Sequence, residues 1–203
     1  MENAEIKNQM ITRGKVRDKR GAILDAALHL ITSYGFHGTS IKMIAKKAEV
    51  AAGTIYVHFK NKEELILALY VALGDEINEI IRQQVKKDAT YFENFLAIWT
   101  AILECYIADP RKPEFISQFT YSPYITRSDA SAQNKLLAPV QLFFKEGKEK
   151  KLLKDMPISS LVALTHGPIT SLVRMSKYEQ IILPEVEVKQ YATACWDAIR
   201  SNE

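Results

Sequence analysis

Cysteine is almost missing from this chain. Cys105 and Cys195 stand alone, each inside an apolar helical pattern and neither with a metal-ligand neighbour, which argues against a disulfide-stapled scaffold or a zinc site. Both read as reduced, buried thiols. Histidine is nearly as scarce: His29, His37, His58 and His166 are isolated from one another. The sequence contains no His-Glu-x-x-His, no Gly-x-Ser-x-Gly, no phosphate-binding glycine loop and no Cys-x-x-Cys. No catalytic residue, metal or cofactor is therefore expected. Eight glycines and seven prolines in 203 residues are too few for a turn-rich β-protein, and no strand alternation appears. No run approaches about eighteen uninterrupted apolar residues. The polar first segment, with Lys7, Arg13, Lys15, Arg17 and Lys19, holds no apolar stretch of signal-peptide length. The expectation is a soluble cytoplasmic protein without a membrane partner.

What is present is helical period and enough apolar mass, 47% of residues, for a large core. The net charge of +3 hides an asymmetry. Residues 1–62 carry eleven Lys and Arg against five Asp and Glu, whereas the remainder carries sixteen against nineteen. A basic first third joined to a mildly acidic body suggests that one part meets a polyanion and the other does not.

The most informative stretch is residues 39–62. Thr39 or Ser40 caps a short helix whose Ile41, Ile44, Ala45 and Ala48 share one face, with Lys42, Lys46 and Lys47 turned away. After a turn at Glu49-Val50-Ala51, a second helix places Ile55 and Phe59 four residues apart, toward a core. Gly53 and Val57 then lie opposite Ile55, flanked by Ala52, Thr54, Tyr56 and His58. Small or apolar groups at the centre and hydrogen-bonding groups at the edges suit a helix laid into a DNA major groove, where a short residue lets the backbone approach the bases. Asn61 caps a third helix, with Glu64 three residues on as in a capping box, and Lys62 at its start.

The run Gly53-Thr54-Ile55-Tyr56-Val57-His58-Phe59, followed by Asn61-Lys62 and Leu65 and preceded by Ile23-Leu24-Asp25-Ala26-Ala27 and Gly35-Phe36, resembles the signature of the TetR family of bacterial transcriptional regulators. The matching pattern covers roughly residues 20–70. The family often has a small polar residue near Ala51 or Ala52, where this chain has alanines. The resemblance implies an all-α chain in three parts: a flexible basic arm (1–19), a three-helix helix-turn-helix head (20–64), and a helical ligand-binding and dimerisation domain (65–203) joined through a long helix. Candidate contacts to a double-stranded DNA operator are Thr39, Ser40, Lys42, Ala52, Gly53, Thr54, Tyr56, Val57, His58 and Lys62.

Helical period continues through the rest. Ile23, Ala26, Ala27, Leu30, Ile31 and Tyr34 form one face of a first helix, ended by Gly35. A long helix from Lys62 carries Leu65, Leu69, Leu73, Ile77, Ile80 and Ile81 on a stripe, as far as Lys87. Thr90 to Glu93 reads as a capping box opening a helix that Asp109-Pro110 stops. A short helix around Glu114–Tyr121 precedes a polar loop near Arg127-Ser128-Asp129. The next helix runs from about Ala130 to Lys150 with a kink at Pro139, and another from about Ser159 to Lys177, bent or split at Gly167-Pro168. The last spans Pro184–Arg200.

Aromatic residues on consecutive helices suggest an apolar cavity lined by Phe95, Trp99, Leu103, Phe115, Phe119, Tyr124, Phe143 and His166, with Tyr106, Gln118 and His166 as polar anchors. The expected ligand is a small hydrophobic or aromatic effector. In the resembling family the last two helices pair with their copies in a homodimer, which nominates Leu161, Leu164, Thr165, Leu172, Cys195, Trp196 and Ile199 as interface. The implied function is a repressor that a ligand releases from a palindromic operator by changing the separation of its two heads. An activator on the same fold is an alternative. A helical interaction adaptor would leave the basic head and its outward Thr54, Tyr56 and His58 unexplained, and an enzyme with a helical cavity has no catalytic motif to support it.

Overall fold

A computed structural model describes residues 18–124 and 130–202, with the backbone alone for residues 130–137. The expected basic arm, apart from Asp18 and Lys19, and the loop at Arg127-Ser128-Asp129 lie outside the described residues. Within them the chain is helical: α1 Lys19–Gly38, α2 Ile41–Lys47, α3 Ala52–His58, α4 Lys62–Gln84, α5 Tyr91–Ala108, α6 Arg111–Thr120, α7 Ala130–Glu149, α8 Ile158–Tyr178 and α9 Glu185–Ile199. Strand geometry among the described residues is limited to an isolated bridge between Leu153 and Arg200. The chain forms two compact units, divided between Leu69 and Tyr70. The sequence reading had placed the head's limit at residue 64.

In the first unit α1 packs on α2 and α2 on α3. Ile23, Ala27, Ile31, Ile44, Ala45, Ile55, Phe59 and Leu65 are buried. Tyr34, expected on the core face of α1, is exposed, because the helical path breaks next to it: Gly35 takes φ 72°, ψ 173°. That left-handed φ suits glycine, and the chain resumes a last turn to Gly38 instead of stopping. Asp18 caps α1 by accepting from Gly21 N. Ser40, not Thr39, caps α2, its Oγ accepting from Met43 N at 3.3 Å. Asn61 Oδ1 accepts from Glu64 N at 2.8 Å, while the Glu64 carboxylate reaches one residue beyond the expected partner, to Lys60 N.

In the second unit α5 is central, packed against α6, α8 and α9, with α9 also against α8 and α7 against α8. The capping box at its start is complete, with Thr90 Oγ1 accepting from Glu93 N and the Glu93 carboxylate accepting from Thr90 N. α4 ends at Gln84, earlier than the expected Lys87. The turn that follows is fixed by Asn94, whose Oδ1 accepts from Lys86 N at 2.9 Å while its Nδ2 donates to Lys86 O at 3.0 Å. Gly167-Pro168 does not split α8, which is continuous from Ile158 to Tyr178. Pro139 likewise lies inside α7. The end of α9 is pinned where Lys154 N donates to Ile199 O and Ser201 N to Leu152 O.

Candidate functional site

The outward ridge of the head is α3. Ile55 and Phe59 turn inward and are buried, with the Arg20 guanidinium 5.5 Å over the Phe59 ring. One residue on, the same four-residue spacing brings Ala52, Gly53, Tyr56 and Val57 to solvent, Tyr56 57% and Val57 81% exposed. A β-branched apolar side chain so exposed on a seven-residue helix contributes nothing to the core. His58 is exposed and Thr54 half-buried. A Cβ added at Gly53 would meet nothing within 4 Å, so nothing inside this chain requires glycine there. Ser40, Lys42, Lys46 and Lys47 are exposed around α2. The turn into α3 places Glu49 at φ 57° and gives α3 no side-chain cap, since Ala51 stands at the cap position.

Two of the expected contacts have partners within the head, and for Thr39 this corrects the expectation. Thr39 is 1% exposed and its hydroxyl donates to Gly35 O at 2.9 Å, so it braces the break in α1 and has no surface to offer. Lys62 is half-buried, with its Nζ donating to Phe36 O, and desolvation lowers its pKa. It ties the start of α4 to the end of α1 and remains partly exposed.

The second unit holds a partly open cavity of about 410 Å³, within the range of small-molecule sites, roughly 300–1,000 Å³. It lies among α4, α5, α6, α7 and α8. Of the residues expected to line it, Phe95, Trp99, Phe143 and His166 do, and so does the anchor Tyr106. Leu103, Phe115, Phe119 and Tyr124 do not. Leu103, Phe115 and Phe119 are fully buried, and their neighbours Ile102, Ile116 and Thr120 face the cavity instead. One residue is 100° on a helix, so bulk pointed to the right helices and the wrong face. Phe119 stacks on the lining residue Tyr70, ring centroids 4.2 Å apart, and so supports the wall from behind. Gln118 faces a separate, more polar groove with Pro110, Arg174 and Tyr178.

The lining missed by sequence reading is the α4 stripe Tyr70, Gly74, Ile77, Asn78 and Ile81. The signal was available: Asn78 is a polar residue set between apolar ones at helical spacing. Trp99 Nε1 donates to Thr165 O at 2.9 Å, holding the indole against the wall. Tyr106 Oη and His166 Nε2 are 3.3 Å apart. Burial lowers the His166 pKa, so the imidazole is neutral near neutral pH, and burial raises that of Tyr106. No Lys, Arg, Asp or Glu lines the cavity among the described residues.

The expected interface residues are largely internal. Leu161, Thr165, Leu172, Cys195 and Ile199 are buried within the single chain, and Trp196 is held among Tyr91, Phe92 and Phe95 at 5.3–6.0 Å between centroids. A side chain spent on its own core is not available to a second subunit, which corrects the assignment for the five buried residues, whereas Trp196 is only half-buried and keeps its expected place. Leu164, 40% exposed, keeps its outward position, and Ala163 and Ser171 share its side of α8. Cys105 is only half-buried, its Sγ 3.6 Å from Glu76 Oε1 and 3.7 Å from Lys112 Nζ. No cluster of three or more metal-ligating side chains occurs among the described residues. No helix there is long and apolar enough to cross a membrane.

Comparison with known proteins agrees with this architecture. Residues 23–69 match the family described as bacterial regulatory proteins, tetR family, and residues 90–200 match the tetracyclin repressor-like C-terminal domain. The chain belongs to the TetR family. It is thus a transcriptional regulator with a helix-turn-helix DNA-binding head, and TetR-family proteins are regulators, not enzymes. The fatty acid metabolism regulator protein of Bacillus subtilis is 37% identical over 82 residues, 40% of this chain and 42% of that protein. The chain thus aligns with less than half the length of this curated relative. A TetR family transcription regulator from Marinobacter aquaeolei VT8 superposes with a TM-score of 0.83 at 22% identity, over 91% of this chain and 96% of that one. One from Shewanella sp. PV-4 gives 0.78 at 28% identity, over 92% and 100%.

Proposed function

We propose that this TetR-family chain is a cytoplasmic homodimeric repressor that occupies a palindromic DNA operator and is released when a small, uncharged, largely apolar effector enters the cavity of the second unit. The observation that carries the reading is the pairing of an outward ridge left exposed among the described residues with an apolar cavity elsewhere in the same chain. Val57 and Gly53 offer an apolar and a bare patch of the kind that reads base edges and thymine methyl groups. Tyr56, His58, Ser40 and Lys42 surround it with donors for phosphate.

Two recognition helices of a dimer must sit about one DNA turn, roughly 34 Å, apart to read two half-sites. An effector that binds better to a state with another separation lowers operator affinity by mass action. The outward side of α8, with Ala163, Leu164 and Ser171, is the candidate contact with the second subunit. Fatty acid metabolism in the name of the Bacillus subtilis relative supports a regulator of this kind, while the partial match leaves the choice of effector to the cavity itself.

The test is protection of promoter DNA by the full chain, beginning with its own promoter, at physiological salt. A protected inverted repeat supports the reading. Protection lost on adding an apolar compound that also raises the melting temperature supports the repressor mechanism. Binding to no promoter fragment would sink it.

A further inference from the structure

Resting on the reading of the cavity as the effector site, we propose that Asn78 selects the effector, its amide receiving a hydroxyl or N–H donor from an uncharged and otherwise apolar molecule. Asn78 lines the cavity and is 5% exposed, yet its Oδ1 accepts no hydrogen bond among the described residues. A buried acceptor left unpaired is costly. Asparagine is also a poor choice in the middle of a helix, where α4 places it. Its neighbours on the same stripe, Ile77 and Ile81, show what packing alone would select there.

Most other polar side chains on the wall are already engaged, the exception among the described residues being the Tyr70 hydroxyl, which is in no hydrogen bond. Thr120 Oγ1 donates to Ile116 O at 2.7 Å and Thr165 Oγ1 to Leu161 O at 2.9 Å. Trp99 donates to Thr165 O, and Tyr106 and His166 face one another. The buried atom left unmet is the Asn78 Oδ1 acceptor, which calls for a donor on the guest. With no charged side chain in the described lining and His166 kept neutral by burial, nothing there balances a carboxylate or phosphate. The guest that fits is a phenol, alcohol or amide-type N–H compound on an apolar frame. The pairing follows the described orientation, in which Oδ1 is the buried end without a partner; an anisole bound more tightly than the phenol would mean that the amide turns its Nδ2 to the guest and would overturn the pairing.

Three probes of similar size separate the possibilities on the full chain: para-octylphenol, para-octylanisole and para-octylbenzoate. Binding is read by tryptophan fluorescence, Trp99 being in the wall, and by the shift in melting temperature. The phenol is expected to bind about tenfold or more tightly than the anisole, and the benzoate weakest. In Asn78→Leu and in Asn78→Ala the phenol-to-anisole ratio should fall toward one while the anisole still binds. Asn78→Leu without probe should melt no lower than the parent, because it removes an unpaired amide; a clear drop would mark Asn78 as structural and overturn the proposal. Equal affinities for phenol and anisole in the parent, or a preference that survives both variants, would also overturn it while leaving the cavity as the effector site. Failure of all three probes to bind the parent would overturn the proposal together with the effector-site reading.

Discussion

The Tyr106 hydroxyl and the His166 Nε2 face each other at 3.3 Å inside the second unit, their rings edge-on with centroids 5.8 Å apart. Because burial lowers the His166 pKa from its ordinary 6.5, the unfolded chain takes up a proton that the folded one resists. The stability this adds is complete above the ordinary value and declines as pH falls through it toward the folded value. Calorimetry should therefore show the melting temperature dropping between about pH 7.5 and about pH 5.5, and dropping less in His166→Gln. Equal slopes in parent and variant would remove His166 from the account.

Gly53→Ala separates folding from recognition. The added methyl meets nothing within 4 Å, and replacing glycine inside a helix should stabilise α3 by about 0.5–1 kcal/mol. If the bare backbone approaches the bases, operator affinity should nevertheless fall by about tenfold, near 1.4 kcal/mol. A variant that melts higher and binds DNA as well as the parent would contradict that placement of α3.

Tyr56→Phe and Lys62→Ala should behave differently. Tyr56 is exposed, so loss of its hydroxyl should weaken operator binding without altering the melting temperature. Lys62 donates to Phe36 O, so Lys62→Ala should lower the melting temperature of the head as well. An unchanged melting curve for Lys62→Ala would mean that the tie carries no weight.

Charge on α8 distinguishes core from interface. Leu164→Asp places a carboxylate on an exposed side and should yield a folded monomer, read by light scattering and circular dichroism. Leu172→Asp buries the charge within one chain and should cost several kcal/mol, unfolding the second unit. A dimeric Leu164→Asp protein would move the interface elsewhere.

Gly147→Ala tests the packing of α7 on α5. A Cβ there would come within 2.5 Å of Tyr91 Oη and 2.6 Å of Leu153 Cδ1. Tyr91 is already committed, donating to Phe143 O at 2.7 Å with its ring stacked 4.5 Å from that of Phe143. Overpacking of this kind costs about 1–3 kcal/mol, measurable by denaturant unfolding.

Local chemistry made much of the fold legible. Thr90 and Glu93, Asn61 and Asp109-Pro110 each mark a helix end through groups within a few residues, and the structure places ends there. Thr39 was misread because two adjacent hydroxyls can both cap a helix; only the break at Gly35 brings a carbonyl within reach of one of them. Phe115 and Phe119 were misread because ring size does not say which side of a helix is hollow. That depends on where α4, α7 and α8 lie, and such long-range neighbours leave little trace in the local pattern. Asn78 was readable from its setting, a lone amide among isoleucines.

Asn94 grips both the N–H and the C=O of Lys86 with one amide. To swing α4 against α5 at this joint, two part-buried hydrogen bonds must break together. Those two helices supply much of the cavity wall, and the joint braces that wall as a bracket does. Amide hydrogen exchange would register the bracket as a protected Lys86 N–H in the middle of a surface turn.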